Sequence, residues 1–303
     1  MEPGPSTISG VPPGSESLVI SELLTGSPNR DLLFVARDEM RMEAMADALS
    51  FLLPEEKLII FPAWDCLPYD RISPRQQVSA RRINTLSHLI QSEERTRITL
   101  LTTCNATLQR IPSGLNLKGS HCVLSKGQLI NLADFTSYLV ANGYTRLGQV
   151  MEPGDFAVRG NIIDVYPVDA KDPVRLDLFG DEVDEIKTFD PVSQRSNGNL
   201  ERVSFLAASE LLLDPHKIAR FRDNYRAHFG AITDHDPLYE AISAGRKFEG
   251  MEHWLPLFYE RLETVFDYLD GFRIVTDHVA VEAAGERREQ IVDYYQSRDE
   301  QLA

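Results

Sequence analysis

Two short segments inside the stretch from Gly143 to Asp190 alternate apolar and polar residues with a period of two, which restricts them to strands with one dry and one wet face. Asn161 to Tyr166 and Val174 to Phe179 combine this alternation with β-branched and aromatic residues. Arg159-Gly160 and Phe179-Gly180-Asp181 supply the turns between strands. In the second segment Val174, Leu176 and Leu178 fall on one face, so Arg175, Asp177 and Phe179 share the other. That outward row sets a guanidinium, a carboxylate and a phenyl ring about 7 Å apart, with the guanidinium of Arg159 at a nearby turn. A strand face that meets only water more often carries Thr, Lys or Glu; a Phe beside Arg has the composition of an interface hot spot. The residues alone leave both readings open, a solvated face with an Arg–Asp pair or a docking surface. After the turn, Val183 and Ile186 break the period, which predicts a β-bulge.

The flanking sequence follows a different pattern. Asp31 to Ala36, Leu58 to Phe61 and Ile98 to Thr102 are apolar runs without alternation, as in strands buried on both faces. Between them, Met40 to Leu53 has helical spacing and stops at Pro54, and Gln76 to Ile90 carries Val78, Ile83, Leu86 and Leu89 on one side. Strand, helix, strand, helix, strand predicts a parallel sheet wound with helices, an α/β fold. Near His121 the winding gives way to a strand, a helix from Leu132 to Asn142 closed by Gly143, and the alternating strands. These read as an inserted α+β domain, residues 121–206, within a first domain begun by residues 1–120 and completed by residues 207–303. The last part is mostly helical, with helices expected over Lys217 to Phe229, Pro237 to Ala244 and Leu255 to Leu262. Phe272 to Thr276 reads as a strand rejoining the parent sheet, and Ala280 to Gln301 as a charged, solvated helix.

Composition narrows the function classes. A formal net charge of −15 opposes binding of the chain, as a whole, to a phosphate backbone. Cys66, Cys104 and Cys122 are odd in number and lack a C-x-x-C spacing, so a disulfide frame or zinc site is not expected and a reducing cytoplasm is. No apolar run approaches the ~18 residues of a membrane span, and the N-terminus lacks the pattern of a signal peptide, so no membrane partner is expected.

No catalytic, cofactor or metal set is expected either. In Gly10 to Ser17 the glycines Gly10 and Gly14 are one residue too close for a phosphate loop, and Glu16 stands near the place of its lysine. The loop from Ala63 to Pro74 offers Trp64 and Tyr69 as stacking rings or Asp65 and Asp70 as a carboxylate pair; the favoured use is Trp64, Leu67 and Tyr69 pinning the loop to the sheet. Asp234, His235 and Asp236 precede Pro237 and read as a turn opening a helix, and His253 beside Trp254 carries no metal spacing.

The run G-Y-T-R-L-G-Q-V-M-E-P-G-D-F-A-V-R-G-N-I-I-D-V-Y-P, followed by R-L-D-L-F-G-D-E-V-D-E-I, resembles the second domain of bacterial transcription-repair coupling factor and, more distantly, of the excinuclease component UvrB. F-P-A-W-D-C-L-P-Y-D-R-I-S-P and E-H-W-L-P-L-F-Y extend the resemblance across nearly the whole chain. The resemblance implies that the parallel sheet is an eroded RecA/helicase-like core, its first strand and phosphate loop lost. It implies a non-catalytic module that binds UvrA, another component of the excinuclease ABC system, and recruits nucleotide excision repair to stalled RNA polymerase. The docking residues it implies are Arg159, Arg175, Asp177 and Phe179. RNA polymerase and DNA would be engaged only through domains absent from this chain, which would then be a fragment. The UvrB pattern F-R-V-R-G is here Phe156-Ala157-Val158-Arg159-Gly160, keeping only the second arginine. The long β-hairpin with which UvrB clamps damaged DNA has no counterpart, so damage recognition is not expected. The alternative is a helicase-like ATPase or DNA-binding fragment.

Overall fold

The computed structural model describes the backbone of residues 4–67, 69–91, 97–114, 121–231 and 235–302. The first part runs α1 (Glu16–Thr25), β1 (Leu32–Ala36), α2 (Glu39–Leu52), β2 (Leu58–Phe61), α3 (Gln76–Gln91), β3 (Thr99–Thr103), α4 (Cys104–Leu108) and β4 (Ile111–Pro112). β3 lies between β1 and β2, all three parallel, as the strand–helix alternation predicts. β1 and β3 are buried at every position because helices cover both faces. Leu33, Val35 and Leu100 turn toward Leu86 of α3, while Leu32, Phe34 and Leu101 meet Ile20 and Leu24 of α1 and Met42, Met45 and Leu49 of α2. The Asp38 side chain fixes the start of α2 by accepting a 2.8 Å hydrogen bond from the Arg41 backbone N–H.

The second part comprises β5 (His121–Ser125), α5 (Leu132–Ala141), β6 (Thr145–Arg146), β7 (Asp155–Arg159), β8 (Ile162–Val165), β9 (Val174–Phe179), β10 (Glu182–Phe189), β11 (Ser196–Leu200) and β12 (Arg202–Leu206). Six of the strands form one sheet in the order β11-β10-β9-β8-β7-β6, antiparallel except where β6 meets β7. β5 and β12 pair antiparallel, His121 opposite Leu206 and Ser125 opposite Arg202. The inner face of the larger sheet, including Phe156, Ile163, Val174, Leu176, Leu178 and Ile186, packs on Phe135 and Leu139 of α5 and on Leu124 and Phe205 of the smaller pair.

Two turns hold the hairpins at either side of β8 and β9. Gly160 and Gly180 take φ of 61° and 64°, while Asn161 and Asp181 keep negative φ, the pattern of a two-residue turn with glycine first. The expected bulge is present, with the β9–β10 register shifting between Val183 and Glu185.

The third part runs α6 (Pro215–Phe229), α7 (Pro237–Ser243), α8 (Leu255–Phe258), β13 (Leu262–Glu263), β14 (Arg273–Thr276) and α9 (Ala280–Leu302). β14 rejoins the parallel sheet beside β1, giving the order β14-β1-β3-β2. The helix expected over Leu255 to Leu262 ends at Phe258 instead. Tyr259 is extended (φ −120°, ψ 148°), and Leu262 goes on to pair with Pro112 of β4. Asp236 opens α7 by accepting from the Tyr239 N–H at 3.0 Å, as the reading of that turn requires; Asp234 lies outside the described residues.

The three parts meet at a charged pair that the sequence does not reveal. Arg82 of α3 and Glu210, just past β12, are both fully buried, 2.6 Å apart. Arg82 also donates to the Pro62 carbonyl at 2.7 Å and to Gln109 at 2.9 Å, and lies 4.2 Å from the centre of the Phe61 ring. Glu210 accepts from the Trp64 indole at 2.8 Å, and the Tyr259 hydroxyl donates to its carbonyl at 3.1 Å. Of the residues expected to pin the loop from Ala63 to Pro74, Trp64 does so. Leu67 and Tyr69 are 47% and 45% exposed, Tyr69 in a left-handed conformation (φ 59°) with its ring against Tyr295.

Candidate partner-binding site

β9 carries the outward row where the alternation puts it. Val174, Leu176 and Leu178 are buried, Arg175 and Asp177 are half-buried, and Phe179 is 81% exposed. On β8, Ile162 stands opposite Asp177 and Asp164 opposite Arg175; on β10, Glu185 and Lys187 flank the same two residues. Lys187 and Glu185 pair with each other, which holds the Glu185 carboxyl below the ordinary glutamate range.

The face divides into a covered end and an open end. At the covered end Asp164 points outward yet is 1% exposed at its side chain. Arg175 grips it with both arms of its guanidinium, Nε to Oδ1 at 2.6 Å and Nη2 to Oδ2 at 2.9 Å. The same guanidinium sits 4.9 Å from the centre of the Phe189 ring, and Phe189, Val150 and Ala157 form a small core with Tyr166. The hydrogen bonds to Asp164 lead the influences that raise the Arg175 pKa, so the guanidinium stays charged. Arg175 is therefore more than a solvated surface group, since truncating it strands a buried carboxylate.

At the open end stand Ile162, Asp177 and Phe179, with Arg159 at the adjoining turn. The Asp177 carboxylate makes no side-chain hydrogen bond among the described residues, though its backbone is part of the ladder between β8 and β10. Arg159 bridges the two ends, because its Nη2 donates to the Gly148 carbonyl at 2.7 Å and its Nη1 lies 3.7 Å from Asp164 Oδ2. Arg159 and Arg175 thus share one carboxylate, while Asp177 and Phe179 lie farther along β9. Asp164 is the residue that sequence reasoning misses. Its outward place on β8 is readable, but its cover is the Arg175 guanidinium from β9, itself seated on the Phe189 ring, and that arrangement is set by tertiary packing.

Elsewhere, two of the other candidate carboxylates, Glu16 and Asp65, are held in ion pairs. Glu16 opens α1 3.3 Å from Arg41, which also pairs with Asp277 at 3.2 Å. Asp65 is engaged by Arg75; burial alone would raise its pKa, and the bonds from Arg75 lower it instead. Cys66 lies 3.8 Å from His253 but is not activated, since burial, followed by the nearby carboxylates, pushes its thiol up to about 11. No helix among the described residues is long and apolar enough to cross a membrane.

Residues 122–211 match the UvrB interaction domain family, a range that takes in the whole outward face just described. The chain is 33% identical over 281 residues to the transcription-repair-coupling factor of Haemophilus influenzae, covering 92% of this chain and 24% of that protein. Against the transcription-repair-coupling factor of Escherichia coli it is 31% identical over 257 residues, 84% of this chain and 22% of the other. With that of Bacillus subtilis the identity is 26% over 285 residues, 88% of this chain and 24% of the other. The chain spans about a quarter of the length of these curated relatives. With a UvrB interaction domain inside it and an alignment to these proteins along most of its length, the chain belongs to the transcription-repair-coupling factor family.

Proposed function

We propose that this chain is a non-catalytic interaction module that docks UvrA, a component of the excinuclease ABC system, through the outward face of its six-stranded sheet and so recruits nucleotide excision repair to stalled RNA polymerase. RNA polymerase and DNA are then engaged by other parts of a longer protein. The observation that carries this reading is Phe179, a ring 81% exposed at the end of a strand whose other face is core. Burying such a ring against a partner is worth roughly 1.5–3 kcal/mol, enough for one side chain to anchor a contact. Arg159 and Asp177 stand at the same end of the face with one charge of each sign, and Arg175, half-buried, lies four residues before Phe179 on β9. We place the docking unit at residues 121–206, because the β5–β12 pair closes that segment on itself. We read the parallel sheet as an eroded RecA-like core on its strand order and on Glu16, whose carboxylate near the place of the phosphate-loop lysine would repel a triphosphate.

Titration calorimetry of Phe179→Ala and Arg159→Ala against UvrA at two ionic strengths tests the reading. A loss of about tenfold or more in each supports it, with the Arg159→Ala loss shrinking at high salt if that side chain lies at the rim. Wild-type affinity in both would remove this face from the interface. The helicase-like ATPase or DNA-binding alternative predicts binding of labelled ATP, abolished by substitutions in Gly10–Ser17, or of a short duplex at low salt; the net charge of −15 opposes the second.

A further inference from the structure

The geometry points to Asp164 as the positioning residue of the docking face, one buried carboxylate that holds both Arg159 and Arg175 in the arrangement a partner meets. This rests on the docking reading above and deepens it.

Asp164 has almost no surface to offer a partner, since its side chain is 1% exposed. Whatever it contributes to binding passes through the groups it holds. Both of its oxygens are engaged: Oδ1 takes the Arg175 Nε at 2.6 Å, and Oδ2 takes the Arg175 Nη2 at 2.9 Å and lies 3.7 Å from the Arg159 Nη1. Arg159 has a second tether in the Gly148 carbonyl, 2.7 Å from its Nη2. An arginine on a turn ordinarily samples many rotamers, and a partner must freeze them on binding. Tethered by the Gly148 hydrogen bond and drawn toward Asp164, Arg159 has less of that freedom to lose and presents the remainder of its planar fork in a preferred orientation. Arg175 is fixed more strongly by its paired bonds and by the Phe189 ring beneath it. The alternative is that Asp164 serves only to join β8 to β9. The two roles differ in one respect, because a purely structural pair affects affinity no further than it affects folding.

The test is calorimetric titration of the 303-residue chain with UvrA, well below each variant's unfolding midpoint. D164N keeps the size of the side chain and removes its charge. It is expected to weaken binding about tenfold while the variant remains folded by circular dichroism. With both arginines gone, Asp164 has nothing left to position. R159A/R175A and R159A/R175A/D164N should therefore bind equally within about twofold, and the triple variant should melt higher, since its buried carboxylate is no longer unpaired. Wild-type affinity in folded D164N overturns the inference, as does a further loss of affinity in the triple variant. Should D164N fail to fold, the comparison of double and triple variants decides alone. F179A separates docking from positioning. If F179A and R159A both bind as wild type, the docking reading fails; if they lose affinity and D164N does not, only the role of Asp164 fails.

Discussion

The parallel and the antiparallel sheet bury apolar surface in opposite ways. β1 and β3 are enclosed at every residue by α1 and α2 on one side and α3 on the other, so the middle of the parallel sheet has no face left for a partner. β9 buries alternate residues and leaves Phe179 in water. One closed face supplies rigidity to the other, and a rigid open face loses little freedom when a partner covers it. Strand direction accounts for this division of labour: parallel strands need crossover helices on their faces, whereas hairpin-linked antiparallel strands do not.

The largest expected effect lies where the two sheets join. Arg82→Ala or Glu210→Ala leaves a fully buried charge without its partner, at an expected cost of about 3–5 kcal/mol by denaturant unfolding. Because the pair links α3 to the exit of β12, the two sheets should then unfold in separate transitions. One coincident transition at wild-type stability would show that the pair holds nothing together.

Next comes the contrast within a single strand. Leu176→Ala, at 0% exposure, should cost about 2–5 kcal/mol, whereas Phe179→Ala three residues on should cost under ~0.5 kcal/mol and act on binding instead. Equal destabilisation by the two would mean that the outward face is packed in solution. Arg175→Ala should fall between them, at about 1–3 kcal/mol, because Asp164 loses the two hydrogen bonds that Arg175 makes to it. A cost under ~0.5 kcal/mol would show that water reaches Asp164.

Much of this contrast is legible in the chain itself. The alternation from Val174 to Phe179 assigns each side chain to a face by local geometry alone, and the strand–helix order of the first part dictates the parallel sheet. Asp164, Arg82 and Glu210 are not legible, for a common reason. Each is buried by residues distant in sequence, and Glu210 lies 128 residues from Arg82 with the whole antiparallel sheet between them. Arg82 follows Arg81 in a helix, and such a doublet reads as a solvated face. Leu67 and Tyr69 show the converse, apolar residues expected to pack that the fold leaves half in water.

The smallest effect concerns acid. Burial alone would raise the pKa of Glu56 and of Asp277, but hydrogen bonds from Arg97 and Thr99 to the first, and from Arg41 and His278 to the second, bring both below their usual values. Both groups belong to the parallel part. A carboxylate with a depressed folded-state pKa adds stability above its unfolded value and loses it as pH falls through the folded value, so both contributions fade below the ordinary carboxylate range. Glu56→Gln with Asp277→Asn should lower the melting midpoint at pH 7 by roughly 2–4 °C and flatten its decline between about pH 5 and pH 2. An unchanged decline would assign the acid sensitivity to other carboxylates.

The β5–β12 pair has a mechanical meaning. His121, where the chain enters β5, stands opposite Leu206, where it leaves β12, so a pull on these two points opens the ladder one rung at a time, as a zipper opens. β1 and β14 run parallel, and drawing the N-terminal end of one against the C-terminal end of the other loads all of their hydrogen bonds at once, in shear. A molecule stretched from its two ends therefore meets its strong clamp first and its weak one second. The antiparallel unit bears no tension until the parallel sheet has torn, so strain arriving through the flanking chain leaves the shape of its open face intact.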